Sequence, residues 1–218
     1  MLNARTSVVV ILLVVGLILA ILTGVAYLQP SRAIAEIRDV KENFVGRATF
    51  IQQTDGVDII VNVAGLSPGM HGIHVHAQGK CDPPDFATAG GHFNPEGKHH
   101  GLDNPEGPHA GDMPNLNVNP DGTGALVYLN PRISLVPGAK NSLLKVNGTS
   151  IMIHDKADDQ KTDPAGNSGT RIACGVILAD PTFAGILWVL AASAIILIVI
   201  GTALIMAGRT RKTTPSTH

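Results

Sequence analysis

The chain has no basic excess, no internal repeat, only two cysteines and, through its middle, almost no helical period. Each absence narrows the field. Lysine and arginine number 16 against 17 aspartates and glutamates, a net charge of −1 with the nine histidines neutral. Position tilts the balance further. All 17 acidic residues fall between Ala33 and Asp180 with only 11 of the basic ones, so that segment carries about −6. Such a segment excludes nucleic acid as a partner. The two cysteines, Cys81 and Cys174, form one pair with none left over. A pair of this kind oxidises and persists outside the cytoplasm.

Near each end runs a long stretch without charge. Val8 to Leu28 is an uncharged run of 21 residues, and Phe183 to Gly208 is another of 26. Each is long enough to cross a hydrocarbon core of roughly 30 Å as a helix. Arg209, Arg211 and Lys212 crowd the C-terminal flank, and Arg5 precedes the first run. Cationic flanks favour the cytoplasmic side, although Arg32 and Arg38 weaken the signal at the first run. The expected organisation is an N-terminal anchor over 1–30, a domain over 31–180, a second transmembrane helix over 181–208 and a basic cytoplasmic tail over 209–218. Both termini are then cytoplasmic and the domain faces the other side of the cell membrane. Gly16, Ala20 and Gly24 recur every four residues on one face of the first run, a small-residue surface suited to helix contact. The other span, a second copy or a different membrane protein would fit it.

What the middle does have is histidine. His71, His74, His76, His92, His99, His100 and His109 crowd one stretch that closes on Asp112, and His154 follows at a distance. Gly72-Ile73-His74-Val75-His76 alternates like a strand, which points both imidazoles to one face. Two imidazoles side by side make half of a square-planar nitrogen site, the geometry that suits Cu(II). His100, His109 and Asp112 lie on a Gly/Pro-rich loop, and one more nitrogen would complete a tetrahedral zinc site. His92 lies between the two groups and has two ring nitrogens to give.

Around them, Val45 to Gln52 and Val57 to Ala64 read as strands joined through Thr54-Asp55-Gly56, a hairpin signature. Gly124 to Leu129, Leu143 to Val146, Ser150 to His154 and Arg171 to Leu178 supply further strands. Lys80 to Asn119 is rich in Gly, Pro, Asn and Asp and reads as loop. A loop of that length inside a small domain is explicable only if something cross-links it, and metal ligands would.

Gly90-Gly91-His92-Phe93-Asn94-Pro95, the His74-Val75-His76 pair, His154-Asp155-Lys156-Ala157-Asp158-Asp159 and Gly166-Asn167-Ser168-Gly169-Thr170-Arg171-Ile172-Ala173-Cys174-Gly175 together resemble Cu/Zn superoxide dismutase. The resemblance covers about residues 33 to 180, and its separated motifs recur in order at compatible spacings. It implies an all-β fold, a Greek-key barrel or sandwich of about eight strands, here flanked by two transmembrane helices. It implies copper on His74, His76, His92 and His154, and zinc on His92, His100, His109 and Asp112, with His92 bridging. Asp158 would hydrogen-bond His74 and His100 and fix their rings. Arg171 would guide the superoxide anion to the copper, and His92 would carry a proton between the two half-reactions. Cys81 and Cys174 are expected to form a disulfide tying the metal loop to the last strand.

The same resemblance sorts the remaining features. His71 matches a family residue that braces the loops, and His99 reads as a solvated neighbour of a ligand. Gln160 to Ala165 is shorter than the charged loop of many relatives, so Lys161 is a weak candidate for steering. Ala33-Ile34-Ala35 looks like a cleavage site, but the preceding run exceeds the 7–15 residues usual for a signal peptide. Cutting there would also trim the first strand. Asn147-Gly148-Thr149 fits a glycosylation sequon. The expected activity is dismutation of two superoxide anions to oxygen and hydrogen peroxide. The alternative is a non-enzymatic copper-binding or chaperone-like subunit of a membrane complex, which would be expected to have lost copper ligands or the arginine.

Overall fold

The computed structural model describes residues 32–180 throughout, and in the flanking segments only the helical residues Val14, Val15, Gly16, Ile18, Ser193, Ile195, Ile196 and Ile198. The chain separates into two compact units, Gln29–Asp180 and the flanking segments together. Among the described residues no helix is long and apolar enough to cross a membrane. The expected spans at Val8–Leu28 and Phe183–Gly208 lie almost wholly outside the described residues, as does the tail over 209–218.

The domain is a single antiparallel sheet of nine strands: β1 (Arg32–Asp39), β2 (Phe44–Gln53), β3 (Gly56–Val63), β4 (Gly69–His71), β5 (Ile73–His76), β6 (Leu116–Val118), β7 (Gly124–Asn130), β8 (Thr149–His154) and β9 (Arg171–Ala179). Their spatial order is β4-β6-β7-β3-β2-β1-β9-β8-β5. The outermost strands, β4 and β5, are consecutive in the chain across Gly72. The sheet therefore curls until its two edges nearly meet, a barrel-like closure that leaves little free edge.

Alternation explains the packing. Ala33, Ala35 and Ile37 of β1, Ala48 and Phe50 of β2, and Val57, Ile59 and Val61 of β3 are buried in one core with Ile73, Val75, Ile151 and Ile153. Their neighbours in sequence face outward, as a period of two requires. The β2–β3 hairpin turns through Thr54 and Asp55, pairing Gln53 with Gly56. β5 and β8 break the half-buried pattern, because every residue of both is buried. One face of these strands lines the core, and the other is roofed by the long segment between β5 and β6.

Two expectations are corrected. The sheet has nine strands rather than about eight, because β6 and the three-residue β4 lie in stretches too short for a periodic signal. Leu143 to Val146 is no strand. Leu143 donates its N–H to Ser134 O, Gly148 closes a turn onto Lys145 O, and Leu143 is buried as a plug.

Candidate metal centre

The long segment between β5 and β6 is laid back along β5 by backbone hydrogen bonds. Phe93 N donates to Val75 O at 2.8 Å, Gly111 N to Phe93 O at 2.8 Å, and Val75 N to Gly111 O at 2.9 Å. These contacts pair His76 with His92 and His74 with Asp112 as isolated bridges. Gly111 is needed there, since a Cβ would lie 2.3 Å from the Val75 carbonyl oxygen. β8 pairs with β5 and delivers His154 to the same face, opposite Arg171 of β9 across a bulge.

The result is one buried cluster of imidazoles. One ring nitrogen from each of His74, His76, His92 and His154 lies within 4.8 Å of the other three. Each ring spends one nitrogen on a fixed partner. His74 Nε2 lies 2.6 Å from Asp158 Oδ2, and His92 Nδ1 lies 2.9 Å from Asp112 Oδ1. His76 Nδ1 donates to Gly90 O at 2.9 Å, and His154 Nδ1 to Gly169 O at 3.3 Å. The other nitrogens, His74 Nδ1, His76 Nε2, His92 Nε2 and His154 Nε2, are buried with no hydrogen-bond partner. A buried unpaired polar atom costs roughly 1–3 kcal/mol, so four converging ones are a donor set for a metal ion.

A second cluster adjoins it. Asp112 Oδ1 lies 2.9 Å from His92 Nδ1, 3.1 Å from His100 Nδ1 and 3.4 Å from His109 Nδ1, and the last two histidines reach it from one loop. His109 Nδ1 is also 3.4 Å from His92 Nδ1. Ligands at about 2.0–2.1 Å from a tetrahedral zinc stand about 3.3–3.4 Å apart, so these donors are spaced for one. His74, His92, His100 and Asp112 also fall within one 4.8 Å group. His74, however, engages Asp158 through Nε2 and turns Nδ1 to the first cluster, leaving His109 as the fourth donor here. Oδ2 of Asp112 is held by Gly101 N at 2.8 Å and His109 N at 2.9 Å, which fixes the carboxylate.

In the first cluster and at Asp112 the electrostatics suit ligation, which requires neutral imidazoles and an ionised carboxylate. Burial, with His92 close by, pushes His74 down to about 3. Burial also brings His154 down to about 4 and lowers His76 and His92. Against the opposing effect of burial, His100, His109 and His92 hold Asp112 far below the usual carboxylate range. Asp158 is held well down by His100 and His74, again against burial. His100 goes the other way, to about 9, because Asp112 and Asp158 outweigh its burial.

Asp158 joins the clusters, with Oδ2 on His74 and Oδ1 3.0 Å from His100 Nε2. Two supports of this bridge were not legible in the sequence. Asn115 clamps the Asp158 backbone, accepting from Asp158 N at 2.8 Å and donating to Asp158 O at 2.8 Å. Gly166, with φ +61°, passes so close that a Cβ would sit 1.7 Å from Asp158 Oδ1. The only sequence signal for Asn115 is its place three residues after Asp112.

Arg171 donates to Phe86 O and Gly90 O, both at 2.7 Å, and Gly90 O also accepts from His76 Nδ1. The guanidinium is thereby locked beside a first-cluster histidine. Cys81 and Cys174 are disulfide-bonded and pack with Phe86, Ala89 and Met152, pinning the segment that holds Arg171. His71 spans Ser67 O at 2.8 Å and His154 O at 2.7 Å, the brace expected of it. His99 is exposed between Asp163 and Glu106, while His100 is buried in the site. Lys161 is exposed on the short turn.

A barrel carrying two adjoining donor sets that share one histidine defines a two-metal β-barrel protein. The profile of copper/zinc superoxide dismutase (SODC) matches residues 44–177. Superoxide dismutase [Cu-Zn] 2 of Aquifex aeolicus is 48% identical over 158 residues, covering 72% of this chain and 92% of that protein. Superoxide dismutase [Cu-Zn] of Caulobacter vibrioides is 38% identical over 147 residues, covering 66% of this chain and 83% of the relative. Among solved structures, a SOD-like protein from Bacillus subtilis superposes with TM-score 0.64 at 41% identity, over 66% of this chain and 97% of that one. The chain belongs to the copper/zinc superoxide dismutase family.

Proposed function

We propose that the chain is a superoxide dismutase anchored in a membrane by a span at each end, with its metal centre outside the cytoplasm. The observation that carries the activity is the quartet of buried, unpartnered imidazole nitrogens beside a fixed arginine. His74, His76, His92 and His154 would hold copper, and His92, His100, His109 and Asp112 would hold zinc. Copper supplies one-electron chemistry when bound, and zinc, with its single oxidation state, is structural.

The side chains do the rest. Arg171 presents a fixed cation at the site, which attracts a small anion and holds it facing the quartet. His92 is the residue with both ring nitrogens committed to the two clusters, so Nε2 is the atom placed to hold a proton between half-reactions. Asp158 keeps His74 and His100 in one tautomer and orientation. Two superoxide anions and two protons leave as oxygen and hydrogen peroxide. A non-enzymatic copper carrier on this fold would be expected to have lost copper ligands or the arginine, and this chain keeps His74, His76, His92, His154 and Arg171.

The two uncharged runs, the cationic C-terminal flank and the disulfide support the anchored, extracytoplasmic placement. The deciding experiment is a superoxide assay on the purified full chain, metal-depleted and then loaded with copper and zinc. Activity that appears only with copper is expected. A chain that takes up both metals yet stays inactive would overturn the enzymatic reading.

A further inference from the structure

The second-cluster donors His109 and Asp112 stand three residues apart on one turn, and the turn is built on a glycine. Gly111 cannot be replaced there, because a Cβ would lie 2.3 Å from Val75 O. Glycine leaves the backbone unusually free, so the peptide planes on either side of it need holding from outside. The turn's own backbone closure is long, with Asp112 N donating to His109 O at 3.2 Å.

The plane after Gly111 is held by β5, since Val75 N donates to Gly111 O at 2.9 Å. The plane before it, joining Ala110 to Gly111, is held at both ends. Gly111 N donates to Phe93 O at 2.8 Å, and Ala110 O accepts from Asn130 Nδ2 at 2.9 Å. Asn130 lies 20 residues further along, at the end of β7, a strand that supplies no metal donor. Its side chain is fully buried. Asn130 Oδ1 accepts from Arg132 N at 2.9 Å, which fixes the amide so that Nδ2, the donor end, faces Ala110 O. Closing that local turn needs only an acceptor, which serine or aspartate would also supply. The amide donor is what reaches the metal loop.

We propose that Asn130 is a positioning residue for zinc: by holding the Ala110–Gly111 peptide plane against Phe93, it sets the spacing of His109 and Asp112. The inference rests on the assignment of zinc to His92, His100, His109 and Asp112. Copper binding is independent of it. His74 and His76 stand on β5, His154 stands on β8, and His92 is placed by the contact of Phe93 N with Val75 O. The four rings take their hydrogen bonds from Asp158, Gly90, Asp112 and Gly169, not from Asn130 or Ala110.

The test uses the full chain, measuring zinc affinity by competition with a chelator and coordination geometry with cobalt(II) in place of zinc. The visible d–d bands of cobalt(II) follow the arrangement of its ligands, which lost stability alone does not move. Asn130→Ala removes both hydrogen bonds. Asn130→Ser keeps an acceptor for Arg132 N but is too short to reach Ala110 O, and it decides the matter should Asn130→Ala fail to fold. Val61→Ala, a core truncation on β3, is the control for destabilisation without any contact to the metal loop. Zinc binding about tenfold weaker and shifted cobalt bands are expected in both Asn130 variants, with copper content unchanged. Val61→Ala should unfold at a lower temperature with wild-type zinc affinity and bands. Asn130 variants that bind zinc within twofold of wild type with unchanged bands, or equal shifts in Val61→Ala, would overturn the positioning role. A wild-type chain that shows no tetrahedral cobalt bands would overturn the zinc assignment as well.

Discussion

Gly166→Ala tests whether the carboxylate bridge between the two donor sets matters to both. Gly166 sits at φ +61°, and an added Cβ would lie 1.7 Å from Asp158 Oδ1 and 2.8 Å from His100 Nε2. Either the turn shifts or the carboxylate leaves. A left-handed backbone costs a non-glycine residue roughly 1–2 kcal/mol. Each hydrogen bond from a charged group contributes roughly 1.5–3 kcal/mol, and Asp158 makes one to His74 and one to His100. Expelling it would thus cost more than straining the turn, so the turn gives first and the bridge is weakened rather than lost. Changes in residues that orient metal ligands typically cost 10–100-fold in affinity, and a zinc loss of about that size is expected. Competition with a chelator of known affinity measures it. In Asp158→Ala the carboxylate is already gone, so adding Gly166→Ala should weaken zinc binding little further. Unchanged zinc affinity in Gly166→Ala, or full additivity in the double variant, would refute the reasoning.

Arg171→Ala should lower the second-order rate with superoxide and Arg171→Glu should lower it further, with metal contents unchanged. Steered, diffusion-limited capture is a known property of superoxide dismutases and serves here as the family expectation. The wild-type rate should fall as salt rises, because screening acts over about 8–10 Å, and equal rates in all three at low salt would exclude Arg171 from steering. Reducing the Cys81–Cys174 bridge opens a loop closed across 93 positions, roughly 4–5 kcal/mol of chain entropy. Thermal unfolding of the full chain with and without reductant should show a clear loss of stability, and coincident transitions would contradict it. Reporter fusions should place both termini in the cytoplasm, whereas a mature chain beginning at Glu36 would reveal a cleaved signal peptide.

The parts of the site that alternate or cluster were legible in the sequence. His74 and His76 announced one strand face, and the β2–β3 hairpin announced its turn. Cys81 and Cys174 could be paired because no other cysteine competes. Choosing His100 over its neighbour His99 needed the resemblance; in the structure His100 is buried and His99 is exposed. What stayed hidden acts through backbone and across long sequence separations. Asn115 clamps a main chain 43 residues away, and Gly166 matters only because Asp158 lies against it. β6 is three residues long, below any periodic signal, and Leu143 mimics a strand residue because a buried plug is equally apolar.

The most direct measurement is the copper and zinc content of the full chain beside three variants. Wild type should hold one of each metal. His154→Ala should lose copper and keep zinc, and His109→Ala should lose zinc. His92→Ala should diminish both, because its two nitrogens face different clusters. A His92→Ala chain that keeps one metal at full occupancy and affinity would contradict the shared-histidine centre.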